Sequence, residues 1–179
     1  MLPKRLLTIL LASLTSLAPV SASPHTALSH SVSQLGSIQS HLSLLTEALD
    51  SYNGGVWGLL TLANRVNNAQ SAIRGARLNL DQLPVLSGDD FENWAGSYEK
   101  LQPVILGALK TAHGKTDHFH KLGLKPVVAA LVQGLIDERN GYKKTIEGKM
   151  SRENITAMVA HNEEVDKTVK FVFEALESV

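Results

Sequence analysis

Residues 27–76 read ALSHSVSQLGSIQSHLSLLTEALDSYNGGVWGLLTLANRVNNAQSAIRGA, and this stretch contains two helical repeats separated by a turn. In each repeat, mostly apolar residues recur at steps of three and four, a spacing that keeps them on one face of an α-helix. The first face consists of Leu28, Val32, Leu35, Gln39, Leu42, Thr46 and Leu49, and the second of Leu59, Leu62, Val66, Ala69, Ile73 and Ala76.

The connection between the repeats, Tyr52-Asn53-Gly54-Gly55, is typical of a helix end followed by a reversal of the chain. Asn and Gly tolerate the positive φ angles that such a reversal requires. We therefore predict an αα-hairpin. Two helices cannot cover their own apolar faces, so further helices must pack on this hairpin.

The rest of the chain predicts three more amphipathic helices. The third begins after Ser87-Gly88-Asp89-Asp90, which supply a cap and an acidic first turn, and is kinked but not ended by Pro103. The fourth runs from Lys125-Pro126 to about Gly148, and Ser151 caps the fifth. The predicted inward faces are Phe91, Trp94, Tyr98, Leu101, Ile105, Leu109 and Ala112; Val128, Leu131, Leu135, Tyr142 and Ile146; and Ile155, Met158, Asn162, Val165, Val169, Val172 and Leu176.

Residues 77–86 contain a proline and lack helical order, so we expect a loop that lies on the bundle. No alternating strand pattern occurs. The sequence thus predicts an all-α fold, a single five-helix amphipathic bundle.

The N-terminal residues are typical of a secretory signal peptide. Lys4 and Arg5 precede an apolar run over residues 6–17, and Val20-Ser21-Ala22 is the small-x-small pattern that a signal peptidase recognises. A membrane anchor would need about 20 apolar residues, more than this run provides. We therefore assign residues 1–22 to a cleaved signal peptide and residues 23–179 to the helical domain.

Composition excludes several classes of function. Removing residues 1–22 takes away two basic residues and leaves 15 basic against 17 acidic ones, a net charge of −2, which gives no basic excess for nucleic acid. The chain has no cysteine, so a catalytic thiol and a disulfide framework are both excluded. A 179-residue chain is long enough for one well-buried domain.

The catalytic motifs that we searched for are missing or incomplete. Gly114-Lys115-Thr116 resembles the end of a phosphate-binding loop, but six residues separate it from the preceding glycine, Gly107, where the motif needs four. No Gly-x-Ser-x-Gly nucleophile motif is present. We therefore predict that the protein is not an enzyme and has no cofactor, and a secreted hydrolase is the alternative from another class.

The best metal candidate is the set His113, Asp117 and His120, which a helix would bring onto one face. Gly114 and Gly123 indicate instead that this segment is a loop or a fraying helix end. We predict no metal site. Asn154-Ile155-Thr156 is an N-glycosylation sequon at the start of the fifth helix.

Three polar residues, Gln39, Thr46 and Asn162, occupy positions on the inward faces. One interpretation is that they fix the register of the helices at some cost in stability. The other is that they line a tunnel and hydrogen-bond the head group of an apolar ligand.

Taken together, the signal sequence, the cysteine-free chain, the turn Tyr52-Asn53-Gly54-Gly55, the segment Leu101-Gln102-Pro103-Val104-Ile105 and the last amphipathic helix resemble the fungal hydrophobic surface-binding protein family, which includes the cell-wall galactomannoproteins. The resemblance implies a secreted, non-enzymatic protein that binds hydrophobic surfaces or encloses a fatty acid between its helices. It also implies secreted hydrolases as partners. The sequence has no Ser/Thr-rich tail, so we expect no covalent attachment to the wall and no transmembrane anchor.

On this reading a tunnel for a single-chain lipid lies between the first hairpin and the last two helices. We expect Gln39, Thr46 or Asn162 near the head group. The expected apolar lining is Leu42, Leu45, Leu59, Val66, Leu131, Leu135, Val165 and Val169. The alternative is a cell-wall or adhesion scaffold with a solid core and no cavity.

The signal-peptide assignment predicts that the secreted protein begins at Ser23, because Val20 and Ala22 offer small side chains at the two positions that the peptidase reads. N-terminal sequencing of the secreted protein tests this. A protein that begins at Met1 would contradict it.

Overall fold

The computed structural model of the chain describes residues 24–177, with the side chains of all of these except 24, 25, 157 and 159–161. The expected signal peptide lies outside the described residues. Within them, none of the helices is both long and apolar enough to cross a bilayer. The described residues form helices joined by turns and short loops, with one isolated bridge between Leu86 and Met150. Its helices are α1 (Pro24–Ser51), α2 (Val56–Asp81), α3 (Gly88–Glu99), α4 (Leu101–Gly114), α5 (Thr116–Lys121), α6 (Lys125–Gly148) and α7 (Arg152–Glu177).

The predicted αα-hairpin is present and forms the most extensive helix pair of the described chain. Between α1 and α2, Gly54 and Gly55 have φ angles of 107° and 84°, which a residue with a Cβ adopts only under strain. Tyr52 directly precedes this turn and is buried. The turn therefore ends α1 and folds α2 back along it.

On the buried face of α1, every second residue differs from the predicted one. Leu28, Leu35, Leu42 and Leu49 are buried as expected. The positions between them are Ser31, Ile38 and Leu45, whereas Val32 and Thr46 are half-buried and Gln39 is exposed. The prediction was wrong here because the first step of the buried face is three residues, to the polar Ser31, and not four, to Val32, and the same shift recurs at Ile38 and Leu45.

The prediction of one kinked third helix was also wrong. The chain interrupts the helix at Lys100, between α3 and α4, and Pro103 lies in the first turn of α4. Proline is tolerated there because the first N–H groups of a helix have no intrahelical acceptor. The apolar face nevertheless continues across the break, since Trp94 and Leu101 belong to one hydrophobic core.

Together with the break at Lys100, one additional short helix brings the count for residues 24–177 to seven helices instead of the five predicted. The segment expected to be a connector contains the short helix α5. The loop expected over residues 77–86 begins later, because α2 continues to Asp81 with Leu80 on its buried face. Leu83 and Leu86 are buried beyond it, so the remaining loop does lie on the bundle.

The predicted starts of the last two long helices are confirmed. Pro126 lies in the first turn of α6, which ends at Gly148. The Ser151 hydroxyl accepts a hydrogen bond of 3.2 Å from the backbone N–H of Asn154, as an N-cap residue should.

The five long helices pack in a ring. Each contacts two neighbours in the order α1, α2, α6, α7, α4 and back to α1. Helix α3 packs on α1 and α4, and α5 packs on α4 and α6. The apolar faces of the ring point toward a common axis, and this axis is where the candidate site lies.

Helix α3 is held on α1 by a buried polar pair. The Trp94 indole Nε1–H donates a hydrogen bond of 3.2 Å to the Ser31 hydroxyl, and both residues are 0% exposed. The Trp94 ring stacks on Tyr98, with ring centroids 5.1 Å apart. A small polar residue at position 31 therefore makes room for the indole and supplies its acceptor.

We predict that Ser31→Ala destabilises the protein by about 1 to 3 kcal/mol, because it leaves the buried Trp94 N–H without an acceptor. Ser33→Ala, at an exposed position of the same helix, is the matched control and should change stability by less than about 0.5 kcal/mol. Urea unfolding of both variants measures this. Equal stability of the two variants would show that the hydrogen bond contributes nothing.

Candidate functional site

An apolar cavity lies inside the ring of helices. Its volume is ≈ 120 Å³, and it opens to solvent. Ligand pockets in proteins range from about 300 to 1,000 Å³, so a guest of lipid size requires the walls to move apart. The lining residues are Ile38, Leu42, Leu45, Leu49, Leu62, Val66, Ile73, Tyr98, Leu101, Ile105, Ala108, Leu109, Ala112, Val128, Leu131, Val132, Leu135, Ile136, Arg139, Tyr142 and Val169.

The inward residues of α6 show how open this cavity is. Leu131, Val132, Leu135 and Ile136 belong to the core side of the helix, yet all four are only half-buried. Their apolar side chains border free space instead of packing fully against the opposite wall. Such a surface gains free energy when another apolar group covers it.

The polar groups of the lining are gathered at one end of the cavity. They belong to Tyr98, at the end of α3, and to Arg139 and Tyr142 on α6. The rings of Tyr98 and Tyr142 are 6.4 Å apart. Every other lining residue is aliphatic, so the cavity has one polar end and an otherwise hydrocarbon wall.

Two of these polar groups have partners on α7. The Tyr98 hydroxyl donates a hydrogen bond of 3.0 Å to Oδ1 of Asn162, and Arg139 donates to the Asp166 carboxylate. The Tyr142 hydroxyl is buried and has no hydrogen-bond partner among the described residues. A buried hydroxyl without a partner is unfavourable, so this group is ready to bond an acceptor that enters the cavity.

Burial and hydrogen bonding determine the protonation states of the groups at this end of the cavity. Burial raises the pKa of Tyr98, with Arg139 opposing the increase and Asp166 adding to it. Burial, followed by the effect of Tyr98, raises the pKa of Tyr142 well above its ordinary value. Burial alone would raise the pKa of Asp166, but hydrogen bonds from Lys143 and Arg139 hold that pKa below its ordinary value. At neutral pH both hydroxyls are therefore protonated donors, and Asp166 is an anion.

The other end of the cavity is formed where four helices start or finish near the hairpin turn. Leu49 lies in the last turns of α1 and Leu62 near the start of α2, while Ala112 ends the wall of α4 and Val128 begins that of α6. No lining residue at this end carries a polar side chain.

The structure brings together six of the residues expected in the lining of the predicted tunnel: Leu42, Leu45, Val66, Leu131, Leu135 and Val169. Leu59 is half-buried outside this wall, and Val165 is buried beside a separate, smaller cavity. Their role in lipid binding stays a prediction, since no lipid is present.

The three polar residues expected near a head group lie outside the lining of the main cavity. Gln39 is exposed. The Thr46 hydroxyl donates a hydrogen bond of 2.9 Å to the backbone carbonyl of Leu42 and is satisfied within its own helix. Asn162 accepts the hydrogen bond from Tyr98, so it supports a lining residue from behind.

Sequence reasoning missed two groups of lining residues. The first is the wall formed by α4, including Ile105, Leu109 and Ala112, although all three were on the predicted inward face of that segment. The second is the polar end, where Arg139 was not considered because a charged residue on an amphipathic helix usually faces solvent. Only the position of Asp166 on α7 shows that Arg139 points toward the bundle.

The histidine-rich segment around α5 is organised by packing. Among residues 24–177, no three His, Cys, Asp or Glu side chains come close enough to hold a metal ion. The His113 ring stacks on Phe171 of α7 with centroids 4.6 Å apart.

Asn154 of the glycosylation sequon is half-buried in the first turn of α7, and its modification stays a prediction.

Three solved structures share this fold. The crystal structure of Afmp4p in complex with palmitic acid superposes with a TM-score of 0.79 at 15% identity, covering 84% of this chain and 99% of that chain. Ligand binding domain 1 of the Penicillium marneffei MP1 protein, complexed with arachidonic acids, has a TM-score of 0.75 at 16% identity, covering 82% of this chain and 95% of that chain. Ligand binding domain 2 of the same protein, complexed with multiple arachidonic acids, has a TM-score of 0.75 at 16% identity, covering 82% of this chain and 94% of that chain. At this identity the likeness shows a common fold.

Comparison of sequences is more specific. No curated protein sequence matches this chain significantly. The family model described as hydrophobic surface binding protein A matches residues 28–147, from the start of α1 almost to the end of α6, which is well over half of the chain. The resemblance noted from the turn and helix patterns is thereby confirmed, and the protein belongs to the hydrophobic surface binding protein A family.

Proposed function

We propose that this protein binds a single-chain lipid, such as a fatty acid, with the acyl tail inside the ring formed by α1, α2, α6, α7 and α4. The observation that carries this proposal is the cavity itself, which has an aliphatic wall and polar groups at one end only. Afmp4p and the two MP1 domains, whose structures contain palmitic or arachidonic acid, have the same fold and support the proposal.

The length of the cavity suits a long acyl chain. Val128 and Tyr142 line its two ends and are 14 residues apart on α6, which corresponds to about 21 Å at 1.5 Å per residue. An extended sixteen-carbon chain, with an advance of about 1.3 Å per bond, measures about 20 Å. A tail of this length therefore fits between the polar end and the hairpin end.

The expected affinity follows from the tail. Each buried methylene contributes about 0.8 kcal/mol, so a sixteen-carbon tail gains on the order of 12 kcal/mol before costs. Association and ordering take back several kcal/mol, which leaves binding in the low micromolar range or tighter. The tail would thus set the affinity, and the few polar groups would set the orientation.

The same reasoning bears on the alternative of a solid scaffold. A core without a cavity would bury the inward residues of α6 fully, but Leu131 and Leu135 are half-buried beside open space. A ligand-free structural role is therefore the weaker proposal.

From the signal sequence of residues 1–22 we also propose that the protein is exported and acts outside the cell or non-covalently on the wall. Recruitment of secreted hydrolases stays a prediction.

The test is to block the cavity. Leu135→Trp should lower the affinity for palmitate at least about tenfold while the helical circular dichroism is retained, because a cavity wall accepts bulk that a packed core does not. Val127→Trp, on the same helix but 44% exposed and outside the lining, is the matched control and should bind as the wild type does.

Unchanged palmitate binding by a folded Leu135→Trp variant would contradict the proposal. If that variant does not fold, Ala108→Leu adds less bulk to the facing wall on α4 and tests the same volume. Retained affinity in that variant, with its fold intact, would equally place the lipid elsewhere.

A second candidate function is adsorption to an apolar surface, and one exposed cluster favours it. At the start of α2, Val56, Trp57 and Leu60 are 79%, 83% and 50% exposed. No charged residue occurs in residues 51–64, which form the tip of the hairpin, so this tip can leave water at low desolvation cost. Exposed clusters of large apolar side chains are typical of interaction sites.

We predict that Trp57→Ser lowers the fraction of protein adsorbed to alkyl-coated beads several-fold, because Trp57 supplies the largest exposed apolar side chain of the tip. Leu78→Ser, at a 55% exposed apolar position on the same helix, is the control and should have little effect. Equal adsorption of both variants would exclude the tip as the adsorbing surface.

A further inference from the structure

One polar atom at the cavity end is in an unusual situation. The Tyr142 hydroxyl lies on a residue that is only 4% exposed, and it has no hydrogen-bond partner among the described residues. The ring is fixed by contacts with Trp94 and Tyr98, whose centroids each lie 6.4 Å from its own. Tyr142 lines the cavity, so a guest that enters the cavity is the nearest source of an acceptor for this hydroxyl.

A cation lines the same end of the cavity as Tyr142. Arg139 precedes Tyr142 by three residues, which places both side chains on one face of α6. The Arg139 side chain is 15% exposed and is the one charged member of the cavity lining. Its Nη1 donates to Asp166, but a guanidinium carries five N–H donors, so one ion pair does not saturate it.

The charge on the cavity wall favours an anion. Asp166 is shared between two cations, because Lys143 Nζ donates to its other carboxylate oxygen at 2.9 Å while Arg139 donates to the first. Arg139, however, is the one charged residue that lines the main cavity, so a carboxylate that enters the cavity meets a cation. A carboxylate placed here would receive a charge-assisted hydrogen bond from Arg139 and a second bond from the Tyr142 hydroxyl.

The other groups that line the cavity do not compete with Arg139 and Tyr142 for a carboxylate. Tyr98 already donates its hydroxyl proton to Asn162. At the hairpin end, Leu49, Leu62, Ala112 and Val128 offer no polar side chain at all. This distribution of polar groups favours one orientation of a bound lipid, with its head group at α6 near Arg139 and its tail pointing toward the hairpin turn.

We propose that Arg139 and Tyr142 form a carboxylate subsite that selects fatty acids over uncharged lipids of equal chain length. This inference rests on the proposed lipid-binding function and names the head-group chemistry of the same cavity. An alcohol or ester head group can accept a hydrogen bond but carries no charge to pair with the Arg139 guanidinium, so it binds less tightly.

The experiment compares palmitate with hexadecanol, which has the same tail, by calorimetric titration below the concentrations at which either aggregates. The wild type should prefer palmitate about tenfold or more, the value of one or two hydrogen bonds to a charged group. Arg139→Met and Tyr142→Phe should each reduce the affinity for palmitate by about the same factor and reduce that for hexadecanol clearly less, because hydrogen bonds to a charged group are the stronger ones.

Lys143→Met is the matched control. It removes a cation from the same carboxylate, Asp166, on the same helix, but Lys143 is not part of the lining of the main cavity. This variant should retain the preference for palmitate. Tyr142→Phe changes the side chain by one oxygen only, so it keeps the test valid if Arg139→Met does not fold.

The outcomes separate this inference from the function on which it rests. If the wild type binds palmitate and hexadecanol equally, or if Arg139→Met and Tyr142→Phe weaken both ligands by the same factor, the cavity binds lipids but the carboxylate subsite is wrong. If the wild type binds neither ligand, both the function and the subsite are wrong.

Discussion

The structure depends on a packing constraint of five helices around one axis. Five cylinders about 10 Å in diameter, each touching two neighbours, leave a central channel about 7 Å across, whereas four leave about 4 Å. The order α1, α2, α6, α7, α4 closes such a ring in this protein. An alkyl chain with a cross-section of about 4 Å fits the wider channel and would not fit a filled four-helix core. The number of long helices thus provides the room for a cavity along the axis.

Side-chain choice decides whether the channel stays open. On α4 the inward positions Ala108 and Ala112 are small, and on α6 Leu131 and Leu135 reach free space. Larger residues at the alanines would fill the axis and convert the cavity into a packed core. The protein gives up some core burial for this space, and the close contact of the hairpin helices and the Trp94–Ser31 pair hold the surrounding wall.

The parts of this arrangement that local chemistry determines could be read from the sequence. Gly54 and Gly55 set the hairpin, Pro126 begins α6 and Ser151 caps α7, because each acts within one turn of the chain. The burial of Ser31 could not be read in this way, since its cause is Trp94, 63 residues away in sequence. The polar end was missed for the same reason, because Arg139 is oriented by Asp166 on another helix.

The most direct measurement is a crystal structure of the protein grown with palmitate. The ring geometry predicts an acyl chain along the axis, in contact with Leu42, Leu135 and Ala108, with its carboxylate beside Arg139 and Tyr142. Palmitate bound only on the outside of the bundle, for example over Trp57, with the axis filled by protein side chains, would contradict the account.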